Sequence, residues 1–135
     1  MTVSVNSAKD ETVMIKTRLL LLAALVSLPL SARAETYLLM AEEAGCYWCA
    51  RWHSEIGPIY PKTAEGKAAP LVQYNLRSDT PDAVLARKVH YTPTFILVED
   101  GQERGRIEGY PGEDFFWGLL GRLLEDAKSP LDASG

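Results

Sequence analysis

A chain of 135 residues with 47% hydrophobic and 24% charged side chains has room for one ordinary domain and is too short for two. Its net charge of −4 excludes the strongly basic character that nucleic-acid and anionic-lipid surfaces call for.

The first 34 residues read as an export signal. Lys16 and Arg18 precede an apolar run from Leu19 to Leu30, and Ala32-Arg33-Ala34 follows as a small-x-small exit. The run of 12 residues is short of the roughly 20 needed to span a bilayer, so a cleaved signal peptide at 1–34 is favoured over a membrane anchor. Met14-Ile15-Lys16-Thr17-Arg18 is itself a compact positive start, which makes Met14 the expected initiator. Cleavage after Ala34 leaves 10 basic against 16 acidic residues, a net charge of −6. The expected consequence is export, with a domain at 35–127 and a flexible tail at 128–135.

Thr36 to Ala41 is a short apolar run that reads as a buried strand. From Cys49, Trp52, Ile56 and Ile59 or Tyr60 recur at helical spacing, and Gly57-Pro58 should kink or end that helix. Lys62 to Pro70 reads as a polar loop and Leu71 to Leu76 as a second strand. Thr80 as N-cap with Pro81 at the first helical position predicts a short helix to about Val89. Thr94 to Val98 is a third strand, Asp100-Gly101 a hairpin turn, and Glu103 to Ile107 the return strand. A last helix opens at Glu113-Asp114, where its dipole favours acid, and carries Phe115, Phe116, Leu119, Leu120, Leu123 and Leu124 as its apolar stripe. This order predicts an α/β fold: a four-stranded mixed sheet with helices on both faces.

The two cysteines, Cys46 and Cys49, stand two residues apart between the first strand and the helix that follows it. In that context a C-x-x-C motif does redox work. Unpaired N–H groups and the dipole at a helix N-terminus favour a thiolate, which makes Cys46 the expected nucleophile. Cys49, one turn inward, is the expected resolving thiol. An inert staple is the bland alternative, but a ring this small is worth about 2 kcal/mol against about 3 for a 15-residue loop.

Ala44-Gly45-Cys46-Tyr47-Trp48-Cys49, Tyr91-Thr92-Pro93-Thr94-Phe95 far downstream, and Gly109-Tyr110 before the final helix together resemble the thioredoxin superfamily. The stretch Cys49 to Lys62 is similar to the periplasmic thioredoxins of bacterial sulfur-oxidation (Sox) systems. The resemblance implies a thioredoxin fold and a thiol–disulfide oxidoreductase with no cofactor beyond its own cysteines. It also implies a reductase acting on a cysteine-bearing sulfur carrier and fed by a membrane thiol-transfer protein. The family's cis-proline falls on Pro93, with Thr92 before it as the residue that pairs with substrate. Tyr47 and Trp48 within the motif are expected to be exposed and to serve as docking surface, and Trp52 is expected in the core.

Two departures stand out. The buried carboxylate that cytosolic thioredoxins carry six residues before the first cysteine is Met40 here, and the usual tryptophan before that cysteine is Gly45. Glu42 or Glu43 could serve as acid–base group for Cys49, although both read as solvated loop acids. As two acids with no base before Cys46, they disfavour a thiolate and so point to a reducing couple. Two rival functions share the same residues. A copper(I) metallochaperone would use the same thiols, which with His53 and His90 make a conceivable Cys2His2 metal set of the kind zinc uses, and a non-catalytic binding module would keep the groove alone.

Overall fold

The computed structural model describes residues 35–128. The expected signal peptide at 1–34 and all of the expected tail beyond Lys128 lie outside them. The first strand, β1 (Thr36–Glu42), holds Leu38, Leu39, Met40 and Ala41 buried, because both of its faces are covered. The period of two then splits the side chains. Leu38 and Met40 join Phe95, Leu97 and Ile107 in one apolar cluster, while Leu39 and Ala41 join Ile96, Val98 and Tyr74 in another.

β1 lies inside a four-stranded sheet of order β2-β1-β3-β4, with β2 at Leu71–Asn75, β3 at Thr94–Glu99 and β4 at Gln102–Glu108. β1 runs parallel to β2 and antiparallel to β3, and β3 and β4 form an antiparallel hairpin. The mixed sheet is the one expected. Asp100 and Gly101 both take positive φ, 52° and 75°, as a tight hairpin turn of the primed type requires.

Helices cover the first face. α1 (Tyr47–Glu55) contributes Trp52, with Ile56 as its C-terminal cap, and the last helix, α3 (Glu113–Lys128), contributes Phe116 and Leu120. The Trp52 ring centroid lies 5.2 Å from that of Phe95 and 5.7 Å from that of Phe116, so α1 is pinned at its middle turn. Trp52 is core, as expected. Lys128 is the last helical residue rather than the first of the tail.

The sequence reading fails in two segments. Between α1 and β2, where a loop was expected, Tyr60–Lys62 forms a 3-10 turn and Ala64–Ala68 a short helix, α2. Thr63 caps it, its Oγ1 accepting from Gly66 N–H at 3.0 Å. A Cβ at Gly66 would stand 1.8 Å from the Tyr60 carbonyl oxygen, so only glycine fits.

The second correction concerns the sheet's other face. The helix expected from Thr80 to Val89 is absent, and an irregular segment, 76–92, covers this face instead. Its side chains alternate over Ala83 to Ala86, with Ala83 and Leu85 turned inward and Val84 and Ala86 outward, the habit of extended chain. The backbone groups a helix would consume are spent on the β4 edge. Val84 N–H donates to the Gly101 carbonyl at 2.7 Å, and Glu103 N–H donates to the Val84 carbonyl at 3.0 Å. The buried Glu103 carboxylate accepts from Ala86 N–H at 2.7 Å, and Arg106 donates to the carbonyl of Arg87 at 2.8 Å. That clamp delivers Thr92 and Pro93 to the end of the sheet where the cysteines sit.

Candidate active site

Gly45, at φ 78°, turns the chain out of β1 and into α1. Cys46 is the N-cap of α1: its backbone is extended and its Sγ accepts from Cys49 N–H at 3.1 Å. One of the unpaired N–H groups at the α1 N-terminus is thereby met by sulfur, and the same N–H would stabilise a thiolate there. Cys46 and Cys49 are joined as a disulfide with Cα atoms 5.3 Å apart. Cys46 is half-buried and Cys49 is 4% exposed. The outer sulfur can therefore be reached by a partner and the inner one cannot.

Tyr47 and Trp48 are exposed, and their rings meet edge to face with centroids 5.1 Å apart. The Arg51 guanidinium sits 5.5 Å above the Trp48 ring and pairs with Glu55 at 2.7 Å. Glu55 also accepts from the Tyr110 hydroxyl at 2.5 Å, and the Tyr110 and Arg51 bonds hold its carboxyl below the ordinary range. Arg51 is thus turned away from Cys46, leaving no basic side chain in the depression beside the disulfide except His53.

Thr92 is half-buried, Pro93 is buried, and the Thr92–Pro93 peptide bond is cis. The Thr92 hydroxyl donates to Glu43 Oε1 at 3.1 Å. Glu43 is also ion-paired with Arg77, and the Arg77 bond, with that of Thr92, lowers its carboxyl. Its charge is therefore shared with a guanidinium 34 residues away, a pairing the sequence reading missed.

Glu42, Glu43, Gly45, Cys46, Tyr47, Cys49, Ala50 and His53 line one open depression beside the disulfide. Both acids expected to be solvated loop residues are engaged: Glu43 does sit in the loop but is bonded to Thr92 and Arg77, and Glu42 is not in the loop at all. Glu42 is the last residue of β1, and its Oε2 is 2.6 Å from His53 Nε2. Gln73 of β2 donates from Nε2 to Glu42 Oε1 at 3.3 Å. Met40, in the place of the family's buried carboxylate, is fully buried in the apolar core. His90 is exposed against Tyr91, and no group of three or more His, Cys, Asp or Glu is gathered as a metal site among the described residues.

No protein-family profile matches the chain, and neither does any curated protein. Among solved structures it is similar to the crystal structure of the periplasmic thioredoxin SoxS from Paracoccus pantotrophus in its reduced form. The two are 53% identical with a TM-score of 0.68, over 70% of this chain and 100% of that one. With that identity over an entire solved thioredoxin, and with a cysteine pair bonded at the N-terminus of α1, the chain belongs to the thioredoxin superfamily, resembles the Sox thioredoxins within it, and is a thiol–disulfide oxidoreductase.

Proposed function

We propose that the protein is an exported reductase, processed after Ala34 and working in the periplasm on disulfides or cysteine-bound sulfur adducts of a partner protein. The observation that carries this reading is the unequal burial of the pair: a half-buried Cys46 at the helix N-terminus over a Cys49 that is 4% exposed. In the reduced protein, Cys46 attacks the partner's disulfide, and one partner sulfur leaves as thiolate. Cys49 then attacks Cys46 Sγ, the mixed disulfide breaks, and the partner is released reduced while the Cys46–Cys49 disulfide closes.

In this reading Tyr47 and Trp48, inside the motif, form the substrate-docking surface together with Thr92, bonded to Glu43 ahead of the motif, and the neighbouring Pro93. The likeness to the periplasmic thioredoxin SoxS supports a periplasmic setting and makes a Sox sulfur carrier the first partner to test, with a membrane thiol-transfer protein as electron donor. The reducing direction is supported by the surroundings of Cys46, where Arg51 is spent on Glu55 and one backbone N–H reaches the sulfur. Strong oxidants of this kind owe their power to extreme thiolate stabilisation, which needs more than one such donor.

Trapping tests the roles. Cys49→Ser expressed in a native periplasm should accumulate mixed disulfides through Cys46, and Cys46→Ser should accumulate few. Equal trapping by both variants would refute the division of labour. Failure of either to trap protein while wild type binds copper(I) stoichiometrically would favour the metallochaperone.

A further inference from the structure

The second half of the exchange needs a proton acceptor. Cys49 is 4% exposed and packs in the apolar cluster with Trp52 and Phe116, surroundings that oppose thiolate formation. Yet it is the thiolate that attacks. Met40 can take no proton, and Glu43 is held as a carboxylate by Arg77 and Thr92.

His53 remains. It lies four residues after Cys49 on α1, hence on the same helix face, and both line the depression beside the disulfide. Its Nε2 lies 2.6 Å from Glu42 Oε2. A carboxylate only accepts, so Nε2 is the protonated nitrogen and Nδ1 keeps its lone pair. Gln73, donating to the other Glu42 oxygen at 3.3 Å, holds the carboxylate from the β2 side. A base oriented by a third group in this way is the arrangement that activates buried nucleophiles.

We infer that His53, held by Glu42, is the general base that deprotonates Cys49 in the partner-releasing step. The inference deepens the dithiol-exchange reading and rests on it. The Cys49 thiol proton passes to His53, directly or through one water in the open depression, and the thiolate attacks Cys46 Sγ. The bond from Cys46 to the partner sulfur breaks, the partner leaves as a thiolate, and the imidazolium returns the proton to it. Glu42 stabilises the imidazolium while it lasts. The groups facing His53 are Glu42 from β1, the uncharged Gln73 from β2, and Cys49 with the Trp52 ring on its own helix.

The test is a stopped-flow reaction of the reduced mature protein with stoichiometric dithionitrobenzoate across a pH series. The first thionitrobenzoate released reports attack by Cys46, and the second reports resolution by Cys49. His53→Gln can still hydrogen-bond Glu42 but cannot shuttle a proton. It should leave the first phase unchanged and slow the second about 100-fold near pH 7, the lower end of general-base effects. The deficit should shrink as pH rises beyond the range of an ordinary exposed thiol, about 8.5, where hydroxide takes the proton without His53. Glu42→Gln, which keeps the ring but removes the charge, should also slow the second phase alone. A wild-type second phase with a wild-type pH profile in either variant, or equal slowing of both phases, would overturn the inference. A wild-type protein that releases no second equivalent at all would instead overturn the dithiol-exchange reading beneath it.

Discussion

The Glu103–Arg106 pair of β4 makes a quantitative test of how the site is held together. Both side chains are 4% exposed, and Glu103 accepts from Arg106 Nε and Nη2, each at 2.6 Å. The same carboxylate takes the Ala86 amide, and Arg106 continues to the Arg87 carbonyl, so the pair fastens segment 76–92 to the sheet. Glu103→Leu would leave a guanidinium enclosed without its counter-charge, which costs about 3–5 kcal/mol. The Arg87 carbonyl at 2.8 Å and Glu108 at 3.8 Å keep some compensation, which argues for the lower part of that range. At roughly 4–8 °C per kcal/mol for a domain of this size, Tm should fall by at least about 12 °C.

Removing both charges, Glu103→Leu with Arg106→Leu, should recover most of the loss, because an apolar pair needs no desolvation of ions. Urea unfolding of the oxidised protein and its three variants gives the coupling energy, and amide exchange at Val84 and Ala86 shows whether segment 76–92 opens first. A Glu103→Leu cost under about 1 kcal/mol, the value of a surface pair, would refute the reasoning.

Acid should act through the same group. Burial opposes ionisation of Glu103, but the Arg106 and Ala86 bonds outweigh it and hold the carboxyl below 4.5. A folded value below the unfolded one contributes stability above about pH 4.5 and loses it as pH falls through the folded value, so the urea midpoint should drop only on the acid side; a midpoint that rises there contradicts this. Export predicts a mature N-terminus at Glu35, read by terminal sequencing of periplasmic protein, and a start that still contains Leu19 to Leu30 would mean an anchored chain.

How much of this was legible beforehand depends on how far apart the interacting residues stand. Signals carried by neighbours survived: the apolar run of β1, the Asp100-Gly101 turn, the acidic start of α3, and the C-x-x-C between strand and helix. The Thr63 cap of α2 was also local, and was overlooked because the segment's composition reads as loop. Thr80-Pro81 is a sound helix start by propensity, but the β4 edge offered Val84 and Ala86 better partners, and tertiary bonding overrode it. The site's electrostatics were out of reach. Glu42 meets His53 and Gln73 across 11 and 31 residues, and Glu43 meets Arg77 across 34, so two acids that read as unpaired are each engaged.

The central claim, a reducing dithiol pair, is tested most directly by equilibrating the mature protein against a glutathione redox series and quantifying the Cys46–Cys49 disulfide at each potential. The account predicts a single two-electron transition nearer the roughly −270 mV of thioredoxin than the roughly −120 mV of a strong periplasmic oxidant. A midpoint close to −120 mV, or a disulfide that does not exchange with glutathione at all, would contradict it.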